Sequence, residues 1–185
     1  KKLFLSAAAI ALCGGLMAQE NRASVGLEAA LPMGDFGDFV GFGIGGSVGY
    51  EIPVGDNLGV MLQAGYISFS GKDYDLGIVT VEGPSIAAIP IQVGAKYYFS
   101  ENQAGAYAGL LTGVHLMSSE GSDGSTNFGV APQVGFMVTE NIDIGLRYQM
   151  LFDKQETVVV TGTSVTTEEE TVTNSYLGVR IAYMF

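Results

Sequence analysis

Hydrophobic residues alternate with small or polar ones, one on and one off, along most of this chain. Residues 142–153 show it best. Ile142, Ile144, Leu146, Tyr148, Met150 and Phe152 share one parity, and Asp143, Gly145, Arg147, Gln149, Leu151 and Asp153 share the other. Successive side chains of a strand point to opposite faces, so the pattern predicts a strand with one apolar face. The C-terminal segment repeats it, with Leu177, Val179, Ile181, Tyr183 and Phe185 against Gly178, Arg180, Ala182 and Met184. Six further segments follow the same rule near 22–31, 41–52, 57–70, 86–99, 104–117 and 127–138, although Leu111 interrupts it in the fifth strand. Nothing after residue 18 carries a helical period.

The connections alternate too. Pro53-Val54-Gly55-Asp56, Ser100-Glu101-Asn102-Gln103 and Thr139-Glu140-Asn141 are tight and built of turn-forming residues. Those around 32–40, 71–85, 118–126 and 154–173 are longer and polar. Short turns on one side and long loops on the other predict an all-β fold, an eight-stranded antiparallel up-and-down barrel that crosses a membrane. Segments of this length span a bilayer when tilted.

Composition decides which face is wet. The chain carries 27 Gly and is only 15% charged, too few charges to coat the outside of a soluble barrel. The glycines gather on the parity opposite the apolar one, as in Gly43, Gly45, Gly49, Gly94, Gly109 and Gly145. Small side chains suit the narrow interior of eight strands. The apolar parity therefore faces lipid. Its aromatics fall towards strand ends: Tyr50, Tyr97, Phe99, Phe136, Tyr183 and Phe185 at the turn side, Phe42, Tyr66, Phe128, Tyr148 and Phe152 at the loop side. Membrane interfaces select two such belts.

The polar residues of the inward parity are Glu28, Glu51, Gln63, Gln92, Lys96, Gln133, Asp143, Arg147 and Arg180. Counted from the turns they fall in the half nearer the periplasm. Opposite charges at similar depth predict a paired, structural network, because an unpaired buried charge costs several kcal/mol. Barrel closure would make Arg180 of the last strand a neighbour of Glu28 of the first. A net charge of −11 excludes nucleic acid as a partner, for want of a basic face.

Residues 1–18 read as an address. Lys1 and Lys2 precede an uncharged run ending Leu16-Met17-Ala18, the arrangement of a secretory signal peptide cleaved after Ala18. Export by the Sec pathway and a barrel domain over 19–185 follow. Cys13 has Leu12 before it, where a lipid-attachment site needs a small residue, so it leaves with the leader. The exported chain then has no thiol for a disulfide, a nucleophile or a metal.

The terminal Tyr176-Leu177-Gly178-Val179-Arg180-Ile181-Ala182-Tyr183-Met184-Phe185, together with Ile89-Pro90-Ile91 and Lys96-Tyr97-Tyr98-Phe99, resembles the small outer-membrane β-barrels of Gram-negative bacteria, the OmpA/OmpX-like "porin family" domains. The resemblance covers the whole exported chain. It implies residence in the outer membrane among its lipids and lipopolysaccharide. It also implies insertion by the barrel-assembly machinery through a terminal signal that includes Tyr176, Gly178, Ile181, Tyr183 and Phe185. No OmpA-type peptidoglycan-binding domain is expected, since the chain stops at the eighth strand.

Four features of the sequence bear on chemistry. Gly41-Phe42-Gly43-Ile44-Gly45-Gly46 fits G-x-G-x-x-G, but strand follows it where nucleotide binding needs a helix. Gly105, Gly109 and Gly113 fit a doubled G-x-x-x-G, and the same spacing keeps all three on one strand face. His115, the single His, shares parity with Ser119, and Asp123 lies further along the loop. A hydrolytic dyad would need that His at the rim activating Ser, and no G-x-S-x-G accompanies it; the plainer reading is a polar rim His. Asp73-Tyr74-Asp75 with Gly77, and Glu168-Glu169-Glu170, make the loops acidic without the ligand spacing of a calcium site; divalent ions bridging to lipopolysaccharide are the weak alternative. Val158-Val159-Val160 and the Thr-rich 161–173 could continue the last two strands as a hairpin able to pair with a partner strand. The expectation is a non-enzymatic structural or surface protein, with no cofactor and no metal, whose loops meet an extracellular protein partner. The alternatives are a narrow pore for small solutes and a rim hydrolase using His115.

Overall fold

The computed structural model describes residues 21–185 apart from 73, 76–79, 82, 120–123 and 162–163. The expected leader with Cys13, and Asp73, Gly77 and Asp123, lie outside the described residues. Eight strands close into one antiparallel barrel: β1 Arg22–Met33, β2 Val40–Pro53, β3 Leu58–Gly71, β4 Ile86–Tyr98, β5 Gly105–Ser119, β6 Ser125–Met137, β7 Ile142–Thr161 and β8 Ser164–Met184. Each pairs with its neighbours in sequence, and β1 pairs with β8, from Ser24 opposite Met184 to Met33 opposite Ser175. Except in the last hairpin, the ends fall within one or two residues of those read from alternation.

The apolar parity faces outward. Leu27 is 75% exposed, and Ile44, Val48, Leu62, Ile91, Val93, Val134, Leu146 and Ile181 stand beside it on the outside. Hydrocarbon-sized side chains on that face, and buried Glu, Lys and Arg inside, invert the arrangement of a soluble protein. Lipid tails are the solvent that stabilises it. Tyr97 packs edge-to-face on Phe99 at 5.8 Å and Tyr183 on Phe185 at 5.0 Å, both at the turn end.

One loop expectation needs correction, and a second is met. Connection 32–40 holds a short helix, α1 Gly34–Phe39, where only polar loop was expected. Gly34 has φ +59°, a left-handed conformation that lets β1 break off and turn inward. Phe36 then buries itself, while Phe39 stays outside. Connection 154–173 continues the β7–β8 ladder outwards, from Asp153 opposite Val172 to Thr161 opposite Ser164. Connection 71–85 contains one small ladder, Tyr74–Asp75 with Thr80–Val81.

Leu111, the residue that broke the alternation, points inward and packs with Met61 and Ala131. A larger apolar cluster fills the outer half of the tube: Ala30, Val40, Ile67, Phe69, Ala88, Met117, Leu151 and Tyr176, closed over by Phe36. The inward parity is thus polar below and apolar above, where sequence reading expected glycine and ion pairs alone.

Candidate functional site

The lower and middle lumen is an ionic network supplied by seven of the eight strands. Lys96 of β4 reaches Asp143 of β7 at 2.9 Å and Glu51 of β2 at 3.2 Å. Its ammonium also lies 4.4 Å from the centre of the Tyr107 ring. Tyr98 donates to Glu51 Oε1 at 2.6 Å, and Tyr107 donates to Asp143 Oδ1 at 2.8 Å. Above them Arg147 of β7 meets Glu28 of β1 at 3.1 Å, and Arg180 of β8 approaches the same carboxylate at 3.4 Å. Ser47 and Gln63 donate to Glu28 Oε1 at 2.6 and 3.1 Å. Arg180 donates in turn to Ser47 and Ser24. Three cations face three carboxylates, so these buried charges cancel. Cancellation with hydrogen bonds on the remaining lone pairs is the condition under which buried ions are tolerated.

Glycines make the room. A Cβ at Gly26 would stand 2.9 Å from Arg180 Nε; one at Gly178 would stand 3.0 Å from Arg147 Cγ and Nε; one at Gly145 would stand 2.9 Å from the Tyr107 hydroxyl. Part of the glycine excess is therefore space for long side chains that cross the tube. The void left among Gln63, Lys96, Tyr107, Asp143, Arg147 and Arg180 is about 10 Å³, roughly one water.

At mid-height Gln92 donates to Gln149 at 3.0 Å. His115 lies here at 0% exposure, with Pro90 opposite it on β4. Neither ring nitrogen has a hydrogen-bond partner among the described residues. The apolar cluster sits above this layer. Phe69 packs edge-to-face between Phe36 at 5.4 Å and Tyr176 at 5.6 Å.

Both ends open into hollows. The outer one, about 620 Å³, lies between α1 and the outer ends of β4 to β8. The inner one, about 740 Å³, is ringed by Arg22, Gln103, Asn141 and the tight turns. Amide side chains lock those turns together: Asn57 donates to Tyr98 O and Ser100 O at 3.0 Å each, and Asn141 donates to Met184 O at 2.7 Å. Gln103, at φ +52°, donates to Gly55 O and Leu58 O.

A family model described as outer membrane protein beta-barrel domain matches residues 4–185. The chain belongs to that family. No curated protein matches its sequence. Among solved structures it is similar to Neisserial surface protein A, at 16% identity over 89% of this chain and 97% of that one, with a TM-score of 0.51. The N-terminal barrel domain of OprF from Pseudomonas aeruginosa is 13% identical over 90% and 98%, with a TM-score of 0.53. Ail, the attachment invasion locus protein of Yersinia pestis, is 12% identical over 89% and 97%, at 0.52. At such identities the likeness is one of fold.

As an outer membrane β-barrel, the molecule places its tight turns in the periplasm and its hollow beside α1 outside the cell. Of the nine inward polar residues read from sequence, Glu28, Glu51, Gln63, Lys96, Asp143, Arg147 and Arg180 meet in the network. Gln133 touches Met61 Sδ at 3.3 Å, and Gln92 sits at mid-height with Gln149 rather than in the periplasmic half. Sequence reading missed Gln149, Ser24, Ser47, Tyr98, Tyr107 and Tyr176, all on the inward parity; Tyr98 was hidden beside outward Tyr97. Of the terminal residues, Tyr176 and Gly178 point into the tube, and Ile181, Tyr183 and Phe185 point to lipid. His115, expected at the rim, is inside the tube, because its parity turns it inward three to four residues below the end of β5.

Proposed function

We propose that this outer membrane barrel is a non-enzymatic surface protein. Its interior network holds the tube shut and in register, and its outer ribbon offers strand edges to an extended segment of an extracellular protein. The ribbon carries this reading. From Asp153 opposite Val172 outwards, β7 and β8 pair only with each other among the described residues. Pairing with β6 stops at Phe152, and pairing with β1 stops at Ser175. Two rows of backbone donors and acceptors are thereby left for another strand. Val158-Val159-Val160 and the flanking threonines favour extended backbone. Cells displaying the protein, and cells displaying a variant with 155–169 replaced by a short turn, are compared for binding to a panel of purified extracellular proteins. At least one protein should bind the first and lose the second; equal binding throughout would sink the docking role.

The same reading includes export with a leader cleaved after Ala18, insertion by the assembly machinery through the last strand, and contact of the acidic loops with lipopolysaccharide. For the interior, a cycle of Glu28→Gln and Arg180→Gln is expected to show about 1 kcal/mol or more of coupling in unfolding, since the two share a buried ion pair. Additive losses would mean that the barrel seam does not depend on the pair. A tube packed this tightly should also give no steady single-channel openings in a planar bilayer. Reproducible openings would favour the pore instead.

A further inference from the structure

We infer that the outer hollow is a binding site for a compact amphipathic amine, an ammonium carried on an apolar body. At about 620 Å³ it has the size of a small-molecule site. Its floor is apolar, formed by Phe36, Ile86 and Met117, and its wall carries the carboxylates of Asp35, Asp38 and Asp153. No cation lines it among the described residues. Lys72 is not among the lining residues and donates to the Gly37 carbonyl.

An acidic wall alone would be a hydrated surface. The observation that asks for a ligand is Asn127. Its side chain lines the same hollow at 3% exposure, and its Oδ1 has no hydrogen-bond donor among the described residues. A buried acceptor left unmatched is destabilising, and a donor entering from the hollow would relieve it. An ammonium supplies three donors and a charge. An attached ring or short chain would cover the apolar floor. The surrounding field favours the same sign. Eleven of the 19 acidic residues, but only Lys72 and Lys154 among the basic ones, fall in the four outer connections. A net negative charge among these connections raises the local concentration of cations at that end of the barrel. The inference stands on the hollow and does not require the ribbon to dock a protein.

The test uses the full chain folded in detergent micelles, with phenethylamine as the probe and 2-phenylethanol as its uncharged counterpart. Binding is followed by NMR through the backbone and side-chain amide signals of Asn127. Phenethylamine should shift them saturably, and the alcohol should bind about tenfold more weakly or worse, the loss expected when a charge-assisted contact is removed. Asp35→Asn, Asp38→Asn and Asp153→Asn combined should weaken the amine about tenfold or more while leaving the alcohol unchanged. These positions are outside the bilayer, and the unboiled-versus-boiled shift on a gel verifies that the variant has folded. Equal binding of amine and alcohol, shifts confined to lipid-facing signals, or no saturable shift would each overturn the inference.

Discussion

Replacing Lys96 by Met is expected to remove about 3–5 kcal/mol of stability, the usual cost of deleting one partner from a buried charge pair. The size follows from what stays behind. Glu51 and Asp143 both reach the Lys96 ammonium, at 3.2 and 2.9 Å, from opposite sides of the tube. Without it the lumen holds two carboxylates whose other donors are the Tyr98 and Tyr107 hydroxyls. Arg180 comes no nearer to Asp143 than 3.8 Å. Methionine matches the length of the lysine stem, so packing is kept and charge is the quantity removed. Urea unfolding from lipid vesicles, followed by far-ultraviolet circular dichroism and by mobility on unboiled gels, measures the loss. Lys72→Met, on the exposed surface, is the control and should change stability by less than about 0.5 kcal/mol. A loss below about 1 kcal/mol for Lys96→Met would show that the carboxylates do not depend on it.

Phe69→Ala should cost about as much by a different route, roughly 3–5 kcal/mol for a fully buried ring. Phe69 is 0% exposed, in the outer half of the lumen, and it holds Phe36 on one side and Tyr176 on the other. Hydrophobic burial is weak on the lipid face, where one hydrocarbon environment replaces another, so the apolar interior counts heavily in a barrel of this kind. The cavity would not collapse easily, because hydrogen-bonded strands form the surrounding wall. Phe39→Ala, on the short helix whose Phe36 packs against Phe69, gives an exposed comparison. Phe39 is 63% exposed, and its loss should stay within about 0.5 kcal/mol. Equal effects at the two positions would mean that the buried Phe69 ring does not hold the outer half of the lumen together.

Much of the architecture was legible because alternation is local. Val25, Leu27 and Ala29 share a parity whatever the rest of the chain does, and a one-residue slip would turn all of them from lipid to lumen. The parity also located the inward charges, since Glu28, Lys96, Asp143, Arg147 and Arg180 all break an otherwise small or apolar run. His115 was misplaced because parity states a face and not a depth. The helix at 34–39 escaped notice because six residues are too few to display a 3.6-residue period. Strand continuation past Asp153 was blurred by a polar composition with no buried side to impose alternation.

By itself, then, the sequence determined the eight staves, their order, which side of each meets lipid, and which end carries the long connections, because each is written in neighbouring residues. Only the tertiary structure decided which inward groups meet. Glu28 with Arg147, and Lys96 with both Glu51 and Asp143, join strands that are not hydrogen-bonded to one another. Such contacts depend on the stagger of the closed sheet and the width of the tube. No pattern along a single strand contains either quantity, and the same is true of the ring that α1 sets over the outer mouth.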